Sequence, residues 1–272
     1  MLRLAVLGHP VSHSKSPSIH QAFARQVSIN IRYDKIEVPL QEFAASARAF
    51  IAEGAKGFNI TVPFKFDAYQ FADFVSDRAR LAQAVNTIKV LPDGKLFGDN
   101  TDGPGLVTDL TQNLGWQLQG KRILVLGAGG AVRGVLGNLL AAGPLSLDLW
   151  NRNPAKAADL VAHLDGSVRL TDSDSLAFGY DLVINGTSAG LTGGRPQIPA
   201  SVIGANSHVY DMVYSDQMTD FNQWCMNNGA VAVSDGLGML VEQAALAFEL
   251  WFDRKVQTRS VIDLLREASI SE

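Results

Sequence analysis

The 272 residues exceed the usual size of one domain, and with 47% hydrophobic and 18% charged residues the chain can bury a substantial core. A net charge of −4 without a basic stripe argues against a nucleic-acid partner, and no apolar stretch approaches the ~20 residues that cross a bilayer. The single cysteine, Cys225, is expected to lie half-buried in a helix and cannot form an internal disulfide, which favours a cytoplasmic location.

Strands and helices alternate along the first half of the chain. The predicted strands are Leu2–Leu7, Ile31–Val38 and Gly57–Val62, followed by a hairpin over Asn86–Asn100 that turns at Asp93-Gly94. The predicted helices are 17–27, a segment after Pro39, a segment opened by Pro63, and Asp102–Leu114.

The pattern starts again at Arg122 with a second series of strands and helices. Its predicted strands are Arg122–Gly127, 145–150, 167–171, Asp181–Asn185, His208–Val213 and Ala230–Ser234. Its predicted helices are 131–142 and 154–164, and two more over 239–252 and 257–268 close the chain. Six strands are the number in a doubly wound dinucleotide-binding fold, so the closing helices have no strand left to cover there and are expected to pack on the first half.

A buried strand runs into a glycine-rich turn at Gly127–Ala131, with the sequence Gly-Ala-Gly-Gly-Ala. Gly127 permits a tight turn, Gly129 lets the backbone approach a pyrophosphate, and the helix N-terminus attracts its charge. Val132 stands where a third glycine is usual, so an ordinary turn between a strand and a helix stays open as the alternative.

The end of the following strand distinguishes between two dinucleotides. An NAD site carries Asp or Glu there, about 20 residues after the glycines. Here Trp150 is followed by Asn151 and Arg152, with Lys156 one turn later. Because a guanidinium can bind a 2′-phosphate through two hydrogen bonds, the sequence predicts NADP(H), with an exposed loop arginine as the alternative.

These patterns predict an α/β chain of two domains with a cleft between them. The N-terminal α/β domain comprises residues 1–101 plus 238–272, and the Rossmann-type doubly wound domain comprises residues 102–237.

The loop after the first strand is crowded with hydroxyl and imidazole groups. Ser16 precedes a proline and is expected to cap the next helix, which leaves Ser14 unexplained. Two hydroxyls at a helix N-terminus suit a carboxylate ligand. His9 and His13 have the spacing of a metal pair, but Pro10 prevents a helix between them, so no metal site is predicted.

Polar residues next to the third strand and the hairpin form a second group of candidates. Asn59 and Thr61 share one face of the strand, and Asn86 and Asp102 lie at opposite ends of the hairpin. Lys65 lies in a first helical turn, beside an apolar stripe, where the helix dipole opposes a positive charge. The stripe comprises Phe64, Ala68, Phe71 and Val75. A solvated surface lysine is the structural alternative for Lys65, whereas Asp102 is expected both to cap the following helix and to belong to the site.

Nine short motifs follow one another along the chain: GHPVSHSKSPSIH at 8–20, NITVPFK at 59–65, AVNT at 84–87, NTDGPG at 100–105, VLGAGGA at 125–131, NRN at 151–153, INGTSAGL at 184–191, DMVY at 211–214 and SDGLGMLVEQA at 234–244. In this order they resemble the shikimate dehydrogenase family over essentially the whole chain. Asn153 departs from the family by replacing a common threonine.

The resemblance implies a reversible, NADPH-dependent reduction of 3-dehydroshikimate to shikimate in aromatic amino-acid biosynthesis, by a monomer or homodimer. It makes the N-terminal domain the substrate domain and Lys65 with Asp102 the catalytic pair. The implied substrate-binding residues are Ser14, Ser16, Thr61, Lys65, Asn86, Asp102, Tyr214 and Gln243. The implied NADP-binding residues are Gly127, Ala128, Gly129, Gly130, Ala131, Asn151, Arg152, Lys156, Thr187, Met212 and Gly236.

Two rival functions stay open. A quinate/shikimate dehydrogenase would also use NAD, against which Arg152 without an acidic neighbour argues. A non-catalytic NADP-sensing protein would need neither Lys65 nor Asp102, and both are present.

Overall fold

The structure, a computed structural model, describes residues 1–162, 164, 166–192 and 194–270. Between residues 2 and 99, six strands form one mixed sheet in the order β2-β1-β3-β5-β6-β4. The strands are β1 Leu2–Gly8, β2 Ile31–Glu37, β3 Ala55–Ile60, β4 Phe74–Val75, β5 Thr87–Val90 and β6 Leu96–Asp99. Only β5 among these six runs antiparallel to its neighbours. The helices here are α1 Ser16–Gln26, α2 Phe43–Ala52, α3 Lys65–Phe71 and α4 Asp77–Ala82.

The helix after Pro63 is shorter than its apolar stripe predicted. It ends at Phe71 because Ala72 takes an extended conformation and the Asp73 backbone N–H donates to the Leu96 carbonyl. Val75, expected on the helix, therefore belongs to β4 and pairs with β6. Helix α4, which was not predicted, follows directly.

The second sheet has the predicted doubly wound topology. Its strands are β7 Arg122–Leu126, β8 Ser146–Trp150, β9 Arg169–Thr171, β10 Tyr180–Asn185, β11 Ile203–Asp211 and β12 Ala232–Asp235. All pairs are parallel, in the order β12-β11-β10-β7-β8-β9. Counted from β7, this is the strand order of dinucleotide-binding domains, so the predicted fold class is confirmed. The helices are α6 Gly130–Ala141, α7 Pro154–Val161 and α8 Asp220–Asn227, with short 3₁₀ turns at Ala189–Thr192 and Ala200–Val202.

Two predictions in this half need correction. The helix expected over 154–164 ends at Val161, and residue 163 lies outside the described residues. Cys225 does lie in a helix, α8, but it is fully buried rather than half-buried, because α8 packs it into an apolar cluster with Phe221 and Val209.

Helix α5, Asp102–Thr108, continues as a π-helical turn over Asp109–Asn113 and lies between two other helices. A Cβ on Gly105 would lie 2.8 Å from Gln243, and a Cβ on Gly103 would lie 2.3 Å from Asn138 Oδ1. Both glycines are therefore needed for close packing, Gly105 against the helix Leu237–Phe252 (α9) and Gly103 against α6.

The two closing helices, α9 Leu237–Phe252 and α10 Arg259–Ile270, pack on the first sheet as expected. Val241 and Phe248 of α9 and Ile262 of α10 share one apolar cluster with Leu4 and Val6 of β1. The predicted domain boundaries stay a prediction, and residues 271 and 272 lie outside the described residues. No helix in the described part of the chain is long and apolar enough to span a membrane.

Candidate active site

Lys65 and Asp102 form a nearly buried ion pair. Lys65 opens α3, Asp102 opens α5, and Lys65 Nζ lies 2.5 Å from Asp102 Oδ2, with side chains 12% and 7% exposed. The predicted capping role of Asp102 is wrong: Thr101 occupies the cap position, and Asn100 Oδ1 accepts the Asp102 backbone N–H at 3.1 Å. The Asp102 carboxylate is therefore available to Lys65.

Asn86 holds the other oxygen of this carboxylate. Its Nδ2 donates to Asp102 Oδ1 at 2.8 Å and lies 3.3 Å from Gln243 Oε1, which comes from α9. Its Oδ1 accepts from the Thr101 backbone N–H and from the Thr87 hydroxyl, both at 2.9 Å. These contacts bring Asn86, Asp102 and Gln243 together, from distant parts of the sequence.

Ser14 and Ser16 lie together after β1, but Ser16 does not cap α1. The helix begins at Ser16 itself, Lys15 is in the cap position, and Ser14 Oγ accepts the Ser16 backbone N–H at 3.2 Å. Ser14 also donates to Ser16 Oγ at 3.0 Å. Thr61, half-buried, lies against the start of this loop, since a Cβ on Gly8 would overlap its methyl group.

The glycine-rich turn lies against the Lys65–Asp102 pair. A Cβ on Gly134 in α6 would lie 3.1 Å from Asp102 Oδ2, and a Cβ on Gly130 would lie 4.0 Å from Lys65 Cδ. Gly127 has φ +109°, which favours glycine, and Gly129 at the cap of α6 is exposed with open space where a Cβ would stand. The flanking Ala128 and Ala131 are half-buried. A pyrophosphate at this turn would lie beside the ion pair.

The loop after β8 presents two exposed cations. Arg152 and Lys156 are exposed, and within the described residues neither forms an ion pair. Asn153 Oδ1 caps α7 by accepting the Ala155 backbone N–H at 3.1 Å, and Asn151 Nδ2 donates to the Asn153 carbonyl at 2.8 Å. Asn153 thus has a structural role that its position before Pro154 could have signalled.

The remaining implied residues line the carboxyl ends of β10, β11 and β12. The Thr187 hydroxyl donates to Asn185 Oδ1 at 2.8 Å. A Cβ on Gly186 would lie 3.0 Å from the Met212 sulfur, and a Cβ on Gly236 would lie 2.3 Å from the Met212 carbonyl oxygen. Thr187, Met212 and Gly236 therefore border the glycine-rich turn, where Gly127 contacts Gly186.

Tyr214 reaches across to the Ser14–Ser16 loop. Its hydroxyl accepts a hydrogen bond from the Lys15 backbone, and burial raises its pKa. Lys15 Nζ and Asp216 Oδ1 form an ion pair at 3.0 Å beside this contact. The loop after β11 therefore closes one side of the cleft over the two serines, an arrangement that the sequence did not indicate.

Asp211 was missed as a candidate and lies beneath Thr187. It is fully buried at the end of β11, where it accepts from Asn185 Nδ2 at 3.0 Å and from the Thr219 hydroxyl at 2.7 Å. Burial without a cationic partner raises its pKa from 3.8 to about 6. Its place in the DMVY motif was the available signal.

The raised pKa of Asp211 predicts a pH-dependent stability. The folded state binds more protons than the unfolded state between pH ~4 and ~6, so the contribution of Asp211 falls as pH rises through that window. We expect Asp211→Asn to be more stable than the wild type by about 3 kcal/mol at pH 8, and by only about 1 kcal/mol at pH 4.5. Urea unfolding at both pH values measures this.

Asp148→Asn is the matched control, because Asp148 is equally buried but pairs with Arg169. It should lose stability at pH 8. Equal destabilisation by both variants would contradict the account of Asp211.

Three models of known protein families match successive parts of the chain. Residues 6–88 match the family described as shikimate dehydrogenase substrate binding domain, residues 109–192 match shikimate / quinate 5-dehydrogenase, and residues 236–266 match the shikimate 5'-dehydrogenase C-terminal domain. The shikimate dehydrogenase (NADP(+)) of Thioalkalivibrio sulfidiphilus is 51% identical over 269 residues, 98% of each chain.

Solved structures also match. An Ael1 enzyme from Pseudomonas putida has a TM-score of 0.90 at 43% identity, covering 97% of this chain and 98% of that one. Shikimate 5-dehydrogenase from Thermus thermophilus, in complex with NADP(H) and shikimate, has a TM-score of 0.89 at 34% identity, covering 98% of this chain and 100% of that one. The chain belongs to the shikimate dehydrogenase family.

Proposed function

We propose that this enzyme catalyses the reversible NADPH-dependent reduction of 3-dehydroshikimate to shikimate, a step of aromatic amino-acid biosynthesis. The observation that carries the proposal is the Lys65–Asp102 pair, at 2.5 Å, packed against the helix of the glycine-rich turn. An acid–base group and a dinucleotide site thus share one cleft, as a carbonyl reduction requires.

The residues of the second sheet fit NADP(H). Gly129 leaves open space at the N-terminus of α6 for a pyrophosphate, and the exposed Arg152 and Lys156 suit a 2′-phosphate. Asn151, Thr187, Met212 and Gly236 complete the proposed contacts. NADP(H), when bound, supplies or accepts the hydride.

Lys65 supplies the proton to the substrate carbonyl oxygen and recovers it in the reverse direction. An ammonium has three donors, and one is taken by Asp102, which leaves donors for the substrate oxygen. Asp102 orients Lys65 through Oδ2, and Asn86 fixes Asp102 by donating to the other carboxylate oxygen, Oδ1. The ordering of both partners before substrate arrives lowers the entropic part of the barrier.

The substrate contacts follow from the same cleft. Ser14 and Ser16 bind the carboxylate, while Thr61, Asn86, Asp102 and Gln243 bind the ring hydroxyls. Tyr214 approaches from the opposite side, next to Lys15. We also propose that residues 1–101 plus 238–272 form the substrate domain and 102–237 the NADP domain, in a cytoplasmic monomer or homodimer.

Ser14→Ala tests the carboxylate contact. Loss of a hydrogen bond to a charged group is expected to raise the KM for shikimate by about ten- to hundredfold, with NADP affinity unchanged. Ser12→Ala, an exposed serine on the same loop, is the control. An unchanged KM for Ser14→Ala would place the carboxylate elsewhere.

Substrate and cofactor selectivity test the proposed function against its nearest rival, since one matched family covers both shikimate and quinate. Absorbance at 340 nm reports dinucleotide reduction. We expect rapid turnover of shikimate with NADP, and kcat/KM lower by at least about tenfold with NAD, where Arg152 has no phosphate to bind. Comparable rates with quinate and NAD would favour a quinate/shikimate dehydrogenase.

A further inference from the structure

Tyr33, in β2, places its hydroxyl beneath the Ser14–Ser16 loop. Its side chain is buried, and the hydroxyl donates to Asn59 Oδ1 at 2.7 Å. The same hydroxyl forms a hydrogen bond with the Ser16 side chain. Because a phenol has one proton and this proton goes to the amide oxygen, Ser16 is the donor and Tyr33 the acceptor. Burial raises the pKa of Tyr33 well above its usual value, so the proton stays at neutral pH.

Asn59 Oδ1 accepts a second hydrogen bond, from His20. His20 Nε2 lies 3.1 Å from this oxygen, and the imidazole stacks on the Tyr33 ring with centroids 4.5 Å apart. An amide oxygen only accepts, so Nε2 carries the proton, while Nδ1 has no partner among the described residues. Burial lowers the pKa of His20 to about 3, so the ring is neutral. The Tyr33 proton can therefore turn elsewhere without leaving Asn59 Oδ1 unpaired.

The amide nitrogen of Asn59 connects Tyr33 to the catalytic pair. Asn59 Nδ2 donates to Thr87 Oγ1 at 3.0 Å, and the Thr87 hydroxyl donates to Asn86 Oδ1 at 2.9 Å. Asn86 in turn holds Asp102. The Tyr33 hydroxyl is thus fixed relative to the ion pair as well as to Ser16.

We infer that Tyr33 is a positioning residue for the substrate carboxylate and acts through Ser16, an inference that rests on the proposed function. In the free protein the Ser16 proton points to Tyr33. A carboxylate can only accept hydrogen bonds, so the Ser16 hydroxyl turns and donates to the carboxylate when the substrate binds. The Tyr33 hydroxyl then donates to Ser16 Oγ while His20 keeps Asn59 Oδ1 paired. This donation polarises the Ser16 hydroxyl toward the carboxylate and fixes its direction.

Tyr33→Phe tests this role. We expect the KM for shikimate to rise about three- to tenfold with kcat and NADP affinity unchanged, because the carboxylate is bound equally in the ground and transition states. Tyr180→Phe is the matched control, since it removes the hydroxyl of another buried tyrosine, which donates to Asp148 in the second sheet. Its KM for shikimate should equal that of the wild type. Both changes keep the ring and its packing, so both variants are expected to fold.

A double-mutant cycle with Ser16→Ala separates positioning from a general loosening of the site. Once Ser16 is Ala, adding Tyr33→Phe should change the KM for shikimate by less than about twofold. An unchanged KM in Tyr33→Phe, or the same factor in both backgrounds, would overturn the role of Tyr33 alone. A wild-type protein without shikimate turnover would overturn the proposed function and this role with it.

Discussion

Replacing Lys65 with Met is expected to lower kcat for shikimate oxidation by about 10²–10⁴-fold, or about 3–5 kcal/mol of barrier. The KM for shikimate should change much less, because the ammonium acts mainly on charge that develops in the transition state. Steady-state absorbance at 340 nm measures both constants. Lys95→Met, an exposed lysine on the hairpin, is the control.

Loss of the ion pair is also expected to affect the stability of the Lys65→Met variant. Lys65→Met leaves the nearly buried Asp102 carboxylate without its cation, so the variant is expected to lose stability. Lys65→Met with Asp102→Asn removes that charge and should regain stability without regaining activity. The double variant should also be far less than additive in kcat, since the pair acts as a unit. An active Lys65→Met enzyme, free of wild-type contamination, would limit Lys65 to a binding role.

Replacing Arg152 with Ala is expected to raise the KM for NADP by about ten- to hundredfold and to leave the KM for NAD nearly unchanged. The reason is the loss of a charged hydrogen-bond donor, worth about 1.5–3 kcal/mol, from a position with no other protein partner among the described residues. Initial rates at saturating shikimate measure this selectivity.

Arg254→Ala, an exposed arginine at the end of α9, serves as the control for surface charge. If Arg152→Ala keeps the wild-type preference for NADP and Lys156→Ala loses it, the 2′-phosphate binds Lys156 instead.

The doubly wound sheet was predictable because most of its strands contain a short apolar run that is followed by a turn or a helix. The Gly127–Ala131 turn, the six strands and the closing helices each have a local pattern that the structure reproduces. There are two exceptions. The helix expected over 154–164 ends at Val161, and Cys225 is fully buried where a half-buried position was expected, since its depth depends on the packing of α8.

The finer contacts of the site were not predictable, because they join residues that are distant in the sequence. Ser16 before a proline indicated a cap, but the competing acceptor is Ser14. Asp102 likewise does not cap α5, because Thr101 occupies the cap position and Asn100 Oδ1 accepts the Asp102 backbone N–H. The burial of Asp211 and the contact between Tyr214 and Lys15 depend on the packing of β11 and its following loop against distant segments.

Oxidation of NADPH in the presence of 3-dehydroshikimate tests the central claim most directly. When the wild-type protein is mixed with both, the absorbance at 340 nm should fall as NADPH is oxidised. Shikimate, quantified by NMR, should appear in a one-to-one ratio with the NADPH oxidised. Tight binding of NADP with no shikimate formed would contradict the account and would indicate a non-catalytic NADP-binding protein.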